Sequence, residues 1–174
     1  MKIMRVLLLF SVVLVACTND PKLVQNFVSD REQPIEEIKG ARLLHTENGK
    51  IKVHIKAAKI ERFQHQKPEL LLEKMKVSFY NASSDLQSTL EANNASIDED
   101  QKIMLAQNNV VLISQDNKKL ETEELIWDEK KNKIYTDKKV KITTNKEVVY
   151  GEGFISNPDF SEYSIAKIRG TFNE

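Results

Sequence analysis

Slid against itself by 30 residues, the chain matches itself. Thr89-Leu90-Glu91 falls on Lys119-Leu120-Glu121, and Ala95, Ile97 and Asp98 fall on Leu125, Trp127 and Asp128. Met104 meets Ile134, Val110 meets Val140 and Leu112 meets Ile142; a weaker third copy begins where Tyr150 and Ile155 continue the positions of Leu120 and Leu125. Apolar and polar residues alternate around these positions, as where Val77 and Phe79 interleave with Lys76 and Ser78. Such alternation marks half-buried strands, and its recurrence at a fixed spacing predicts stacked β-hairpin units in a rolled or solenoid-like sheet. No stretch holds the i, i+3, i+4, i+7 spacing of a long helix. The expected fold class is all-β.

The repeat also sorts the faces. Positions apolar in both copies (Ala95/Leu125, Ile97/Trp127, Met104/Ile134, Val110/Val140, Leu112/Ile142) point to one interior, with Leu90, Leu120 and Ala92 extending the set. Val111/Lys141, Ile113/Thr143 and Ser96/Ile126 change character between copies and point elsewhere. A one-residue slip would put the whole inner set into water, so the phase is strongly specified. Turns are expected at Asp98-Glu99-Asp100, Gln107-Asn108-Asn109, Asp116-Asn117, Asp128 to Asn132 and Asp137-Lys138-Lys139, which leaves strands of about five to eight residues in a meander.

The amino terminus reads differently. Lys2 and Arg5 precede an apolar run from Val6 to Ala16, which as a helix would span roughly 16 Å, about half of a hydrocarbon core. That suits the apolar stretch of a secretory signal rather than a membrane span. The run ends in Leu14-Val15-Ala16-Cys17, which looks like a bacterial lipobox; the resemblance implies diacylglycerol transfer to the Cys17 sulfur and cleavage before it. The competing reading is a short buried helix with an incidental cysteine. Residues 1–16 are therefore expected to be a lipoprotein signal, 17–37 the lipidated cysteine and a polar tether, and 38–174 the β domain. At 174 residues the chain has room for one compact domain and hardly two.

Charge and motifs exclude several classes. The chain carries 26 Lys+Arg against 26 Asp+Glu, without the basic excess of a nucleic-acid binder. A single cysteine allows no internal disulfide and no thiolate zinc cluster. His45, His54 and His65 lie too far apart for a metal motif, and His54 shares a cationic outer face with Lys52 and Lys56. Gly151-Glu152-Gly153 lacks the rest of a phosphate loop and reads as a bulge or a close backbone approach; Asn157-Pro158-Asp159 reads as a turn. Asp98 and Asp128 occupy equivalent repeat positions, which points to turn chemistry rather than catalysis. No catalytic residue, metal site or cofactor is expected, and the protein is not read as an enzyme.

Three stretches carry a family likeness: Asn109-Val-Val-Leu-Ile-Ser-Gln-Asp, Leu120-Glu-Thr-Glu-Glu-Leu-Ile-Trp-Asp with Ile134-Tyr-Thr-Asp, and the closing Gly151-Glu-Gly-Phe-Ile-Ser-Asn-Pro-Asp-Phe-Ser-Glu-Tyr-Ser-Ile. From about Ile38 to Phe172 the chain resembles the periplasmic domain of the LptC family. The resemblance implies an open-ended, twisted antiparallel β-jellyroll (the OstA/LptA-like β-roll) with an apolar groove. It implies a place in the lipopolysaccharide transport bridge, taking lipopolysaccharide from an inner-membrane ABC transporter complex and passing it to an LptA-type periplasmic carrier. Family members are often anchored by a single transmembrane helix, whereas this chain carries a lipobox; the transport role implies the inner membrane.

Under that reading Leu90, Ala95, Ile97, Met104, Val110, Leu112, Leu120, Leu125, Trp127, Ile134, Val140 and Ile142 line the lipid groove. The same positions suit an ordinary packed core equally well, with Trp127 as a structural plug. The expected partner edges are the strand of Ile51, Val53 and Ile55 and the strand of Ile165, Lys167, Arg169 and Thr171. By the resemblance the first faces the transporter and the second the next carrier; Lys167 and Arg169 could instead keep a monomeric edge from pairing. The rival function is a structural or adhesion envelope lipoprotein whose β-roll is fully packed and holds no ligand.

Overall fold

The computed structural model describes residues 33–173; residues 1–16, Cys17 and most of the expected tether lie outside the described residues. Nine strands follow one another: β1 (Glu36–Glu47), β2 (Lys50–Arg62), β3 (Leu70–Tyr80), β4 (Leu86–Asp98), β5 (Ile103–Ser114), β6 (Lys119–Asp128), β7 (Lys133–Thr143), β8 (Glu147–Ser156) and β9 (Tyr163–Asn173). They form one sheet in sequence order, every neighbour antiparallel. β1 and β9 each pair on one side only, so the sheet is open. The all-β rolled sheet expected from the repeat, open-ended and antiparallel as the family resemblance implies, is what the chain forms.

The register lines up the inner residues in rows across the strands. One row runs Leu43, Ile55, Val77, Leu90, Leu112, Leu120, Ile142 and Val149, from β1 to β8 without a break. A second, toward the opposite ends of the strands, runs Leu70, Ile97, Met104, Trp127 and Ile134 from β3 to β7. Between these rows Ile38, Ile60, Leu72, Ala95, Ala106 and Leu125 form a third. All but Leu43, Ile97 and Ile38 are buried, and each large aliphatic side chain so removed from water contributes about 1.5–3 kcal/mol.

A line of irregularities crosses the sheet between the rows. The ladders shift register between Glu91 and Asn94, Gln107 and Val110, Thr122 and Ile126, and Thr136 and Lys139. Lys74, Asn108, Asn109 and Gly153 on this line have positive φ. A bulge bends its strand and increases its right-handed twist, and a file of bulges across successive strands rolls the sheet as a whole.

Three expectations are corrected here. Gln107-Asn108-Asn109 and Asp137-Lys138-Lys139 are bulges inside β5 and β7, not turns, so the strands have 10–13 residues rather than five to eight. Asn and Asp tolerate left-handed backbone in a bulge as well as in a turn. The third copy is out of step by one: Val149 and Phe154 face inward, while Tyr150 and Ile155 are exposed. Leu112 pairs with Leu120 but Ile142 pairs with Val149, so the β7–β8 connection is one residue shorter than its β5–β6 counterpart. Finally, Ile51, Val53 and Ile55 are not on an edge strand. They belong to β2, which pairs with β1 and β3, and the true edge is β1.

No hydrogen-bonded ladder closes the roll; side chains and loops do. Phe79 of β3 meets Trp127 of β6 edge to face, ring centroids 5.2 Å apart. The β8–β9 loop tucks in through Phe160, which is fully buried and packs on Phe154 and Tyr163 with centroids at 5.5 and 5.2 Å. Ser88 Oγ of β4 donates to the Pro158 carbonyl and Lys118 Nζ donates to the Phe160 carbonyl at 3.1 Å, which holds that loop across the roll.

Candidate functional site

The rolled sheet leaves its interior incompletely filled where β1 and β2 overhang the strand ends of β4, β5 and β6. Leu43 and Ile55 come from the first row, and Leu70, Ile97, Met104 and Trp127 from the second. Between them lies a cavity of about 130 Å³. Cavities near 150 Å³ take one benzene-sized group, so this one as it stands accepts a short piece of hydrocarbon and no more.

A larger cleft, about 610 Å³, adjoins it. Its rim carries Glu47, Lys52, Asn132, Asn157 and Asp159, and Val53, Phe79 and Trp127 lie at its apolar side. His45, Val53, Trp127 and Glu129 line both spaces. His45 of β1 approaches Glu129 of the β6–β7 turn, Nε2 to Oε1 3.8 Å, and so spans the opening between the edge strand and the opposite wall. A greasy pocket thus opens through Trp127 into a polar cleft.

The residues expected to line a groove all face the interior, yet they divide. Leu90, Leu112, Leu120, Leu125, Ile134 and Ile142 are fully buried, and Ala95, Val110 and Val140 nearly so. Ile97, Met104 and Trp127 reach the cavity. Sequence reasoning missed the β1 contribution, Leu43 and His45, and the wall residue Leu70. The pairing of Ile38 with Ile60 and Leu43 with Ile55 places β1 over the interior, but the left-handed Gly40 shifts its alternation and hides the period in the sequence. Phe160 was also missed, since nothing in a Pro-Asp-Phe-Ser loop marks its ring as buried.

Both edges of the sheet present apolar residues. On β1, Ile38 is 40% and Leu44 58% exposed; on β9, Ile168 is 64% exposed. Unpaired strand edges recruit strands from other chains unless something blunts them. Lys167 and Arg169, expected as possible blunting charges, are both engaged by Glu152 of β8, Lys167 Nζ at 3.5 Å and Arg169 in a direct ion pair. The Arg169 guanidinium, with Lys167 beyond it, holds the Glu152 carboxyl below its ordinary pKa. Ile165 lies over Gly151, where a Cβ would collide with its Cγ2; the Gly-x-Gly is a close approach between β8 and β9.

The remaining polar groups act locally. Asp98 Oδ1 accepts from the Gln101 N–H at 2.7 Å, and thirty residues on Asp128 Oδ1 accepts from the Lys131 N–H at 3.0 Å. The Lys131 ammonium beside it, 2.8 Å away, keeps the Asp128 carboxyl below the usual carboxylate range. These acids shape turns. His45, His54 and His65 fall on β1, β2 and the β2–β3 loop. His54 is pushed toward its neutral form by burial and then by Lys56 and Arg42.

A family model described as lipopolysaccharide-assembly, LptC-related, matches residues 6–169. No curated protein matches the chain.

Proposed function

The chain belongs to the LptC-related lipopolysaccharide-assembly family, and from that premise we propose that it is a lipid-anchored periplasmic link that relays lipopolysaccharide between an inner-membrane ABC transporter complex and an LptA-type carrier. It performs no covalent chemistry; directional flow comes from ATP hydrolysis in the transporter. Cys17 carries the anchor, because two or more acyl chains hold a protein on a bilayer far longer than one.

One observation carries the reading. The apolar row from Leu43 to Val149 runs across the strands, from the free β1 edge to the last strand before β9. A strand added at either edge by a neighbouring roll would extend this row into the next protein, so grooves would join end to end. β1 faces the transporter and β9 the next carrier. A twelve-carbon acyl chain gains about 10 kcal/mol by leaving water for such a lining, at about 0.8 kcal/mol per CH₂.

The cavity of about 130 Å³ is too small for that chain, so lipid entry requires β1 to swing away from the opposite wall. β1 is suited to this, since Ala41 is its only buried residue. The tight burial of Leu90, Leu112, Leu120 and Ile142 favours the rival reading, a packed envelope lipoprotein without ligand. Photo-crosslinking amino acids at Leu43, Ile97 and Ile142, with outward Tyr150 as control, decide between them in cells. Lipopolysaccharide adducts at Leu43 and Ile97 are expected. Adducts at Tyr150 with none at any inward position would leave the packed lipoprotein standing and the carrier refuted.

A further inference from the structure

Among the described residues, two buried side-chain nitrogens have no hydrogen-bond partner, His54 Nε2 and Trp127 Nε1. A histidine nitrogen can be donor or acceptor according to tautomer, but the indole nitrogen is a donor only. Buried donors are nearly always paired, so an unpaired one on a residue that lines a cavity asks for an acceptor from outside the chain, which reaches this closed-off nitrogen only when the wall opens as lipid entry requires. Trp127 is 8% exposed and its ring is fixed edge-on by Phe79.

Its position gives that acceptor a chemistry. On one side Trp127 borders the pocket of Leu43, Ile97 and Met104; on the other it borders the cleft of Lys52, Asn132 and Asn157. A residue so placed between an apolar and a wet region has the setting of a tryptophan at a bilayer surface, where the ring body lies in hydrocarbon and the N–H serves the first polar layer. The cleft also carries Glu47, Glu129 and Asp159 against Lys52 and His45, and Lys52 is itself 3.5 Å from Glu47. That balance disfavours a phosphate. A neutral acceptor at the head of a hydrocarbon chain fits both sides.

We infer that Trp127 is a recognition residue for an acyl carbonyl, the ester or amide that joins a fatty chain to its polar head. The chain's hydrocarbon points into the Leu43–Met104 pocket and the head into the Asn132–Asn157 cleft. The inference rests on the carrier reading above and deepens it, giving the bound lipid a direction.

Trp127 is the only tryptophan in the chain, so fluorescence excited at wavelengths that tryptophan but not tyrosine absorbs reads this site alone. Two sub-micellar probes separate the chemistries: N-dodecanoyl-N-methylglucamine, which carries an amide carbonyl, and dodecyl maltoside, whose chain is joined through an ether-type glycosidic oxygen and has no carbonyl. Both should bind the wild type, and the carbonyl probe should change Trp127 emission. Binding by Trp127→Phe, followed calorimetrically, should weaken about five- to tenfold for the amide probe and less than about twofold for the ether. A benzothienylalanine at position 127 keeps the indole shape without the N–H and should reproduce the difference if Trp127→Phe proves unstable. Equal effects on the two probes, or none, would overturn the carbonyl role even where lipopolysaccharide still crosslinks at Leu43. Absence of both probe binding and crosslinking would overturn the carrier reading with it.

Discussion

Phe79 and Trp127 stand edge to face with ring centroids 5.2 Å apart and planes at 83°, although their strands, β3 and β6, are separated in the sheet by β4 and β5. The contact therefore crosses the interior of the roll. Since β1 and β9 do not pair, such packing, together with the docked β8–β9 loop, is what keeps the sheet curled.

Truncating one ring should loosen the roll more than it harms any strand ladder. Phe79→Ala is expected to cost about 3–5 kcal/mol, the range for a large aromatic deleted from a core, and Phe79→Leu distinctly less. Urea denaturation measures this. A cost for Phe79→Ala below about 1 kcal/mol would mean that the roll is held chiefly by other contacts.

The β8–β9 approach gives a second expectation. Gly153 has φ +77°, and a Cβ there would lie 2.9 Å from Ala166 Cβ, while one at Gly151 would strike Ile165. Gly151→Ala must push β9 outward, and Gly153→Ala adds backbone strain of about 1–3 kcal/mol. Hydrogen exchange should show β9 amides losing protection in both variants while β3 to β6 keep theirs. Loss spread evenly over the sheet would contradict this local account.

The faces of β4 to β7 were legible in the sequence because two copies of the repeat agree on them. Random surface apolars such as Val111 and Ile113 dropped out when Lys141 and Thr143 stood opposite. The bulges were not legible: Asn108-Asn109 and Asp137-Lys138 have the composition of turns, and only the pairing of Val110 with Thr122 and Val140 with Thr122 shows the strand continuing. β1 escaped because its side chains are mostly exposed and Gly40 breaks its alternation. The cavity was out of reach for a related reason. It forms between rows distant in sequence, Leu43 against Ile97 and Met104, and alternation says which residues face inward but not which of them leave space.

His54 predicts a pH dependence. Burial, with Lys56 and Arg42 nearby, lowers its pKa below 6.5 in the folded chain, so the fold prefers the neutral ring. The unfolded chain takes up the proton first, and stability contributed above about pH 6.5 is lost as the pH falls toward the folded value. Depressed carboxyls such as Asp128 and Glu152 give losses of the same sign, but only as the pH falls below about 5. Urea midpoints at pH 7.5 and 5.5 should therefore differ for the wild type and converge for His54→Gln. An unchanged difference in the variant would place the titrating group elsewhere.

The anchor is tested independently of the roll. If Cys17 carries the lipid, Cys17→Ser should leave the precursor unprocessed or release the protein from membranes, and metabolic labelling with a fatty acid should vanish. Unaltered size and fractionation would make the cysteine incidental and the apolar run from Val6 to Ala16 a different kind of element.

The edges yield the last prediction. Ile168 is 64% exposed on β9, and exposed positions of this kind change stability by no more than about 0.5 kcal/mol on substitution. If β9 adds a strand from the next carrier, a carboxylate at this position meets that strand in a newly buried, apolar setting, where an unpaired charge is expensive. Ile168→Asp should thus leave the melting temperature in place and reduce co-purification of an LptA-type carrier at least tenfold. Leu44→Asp on β1 should instead reduce recovery of the transporter. The two variants make opposite losses, which a general defect in folding or export would not produce. Equal loss of both partners from either variant would show that the edges do not divide the partners between them.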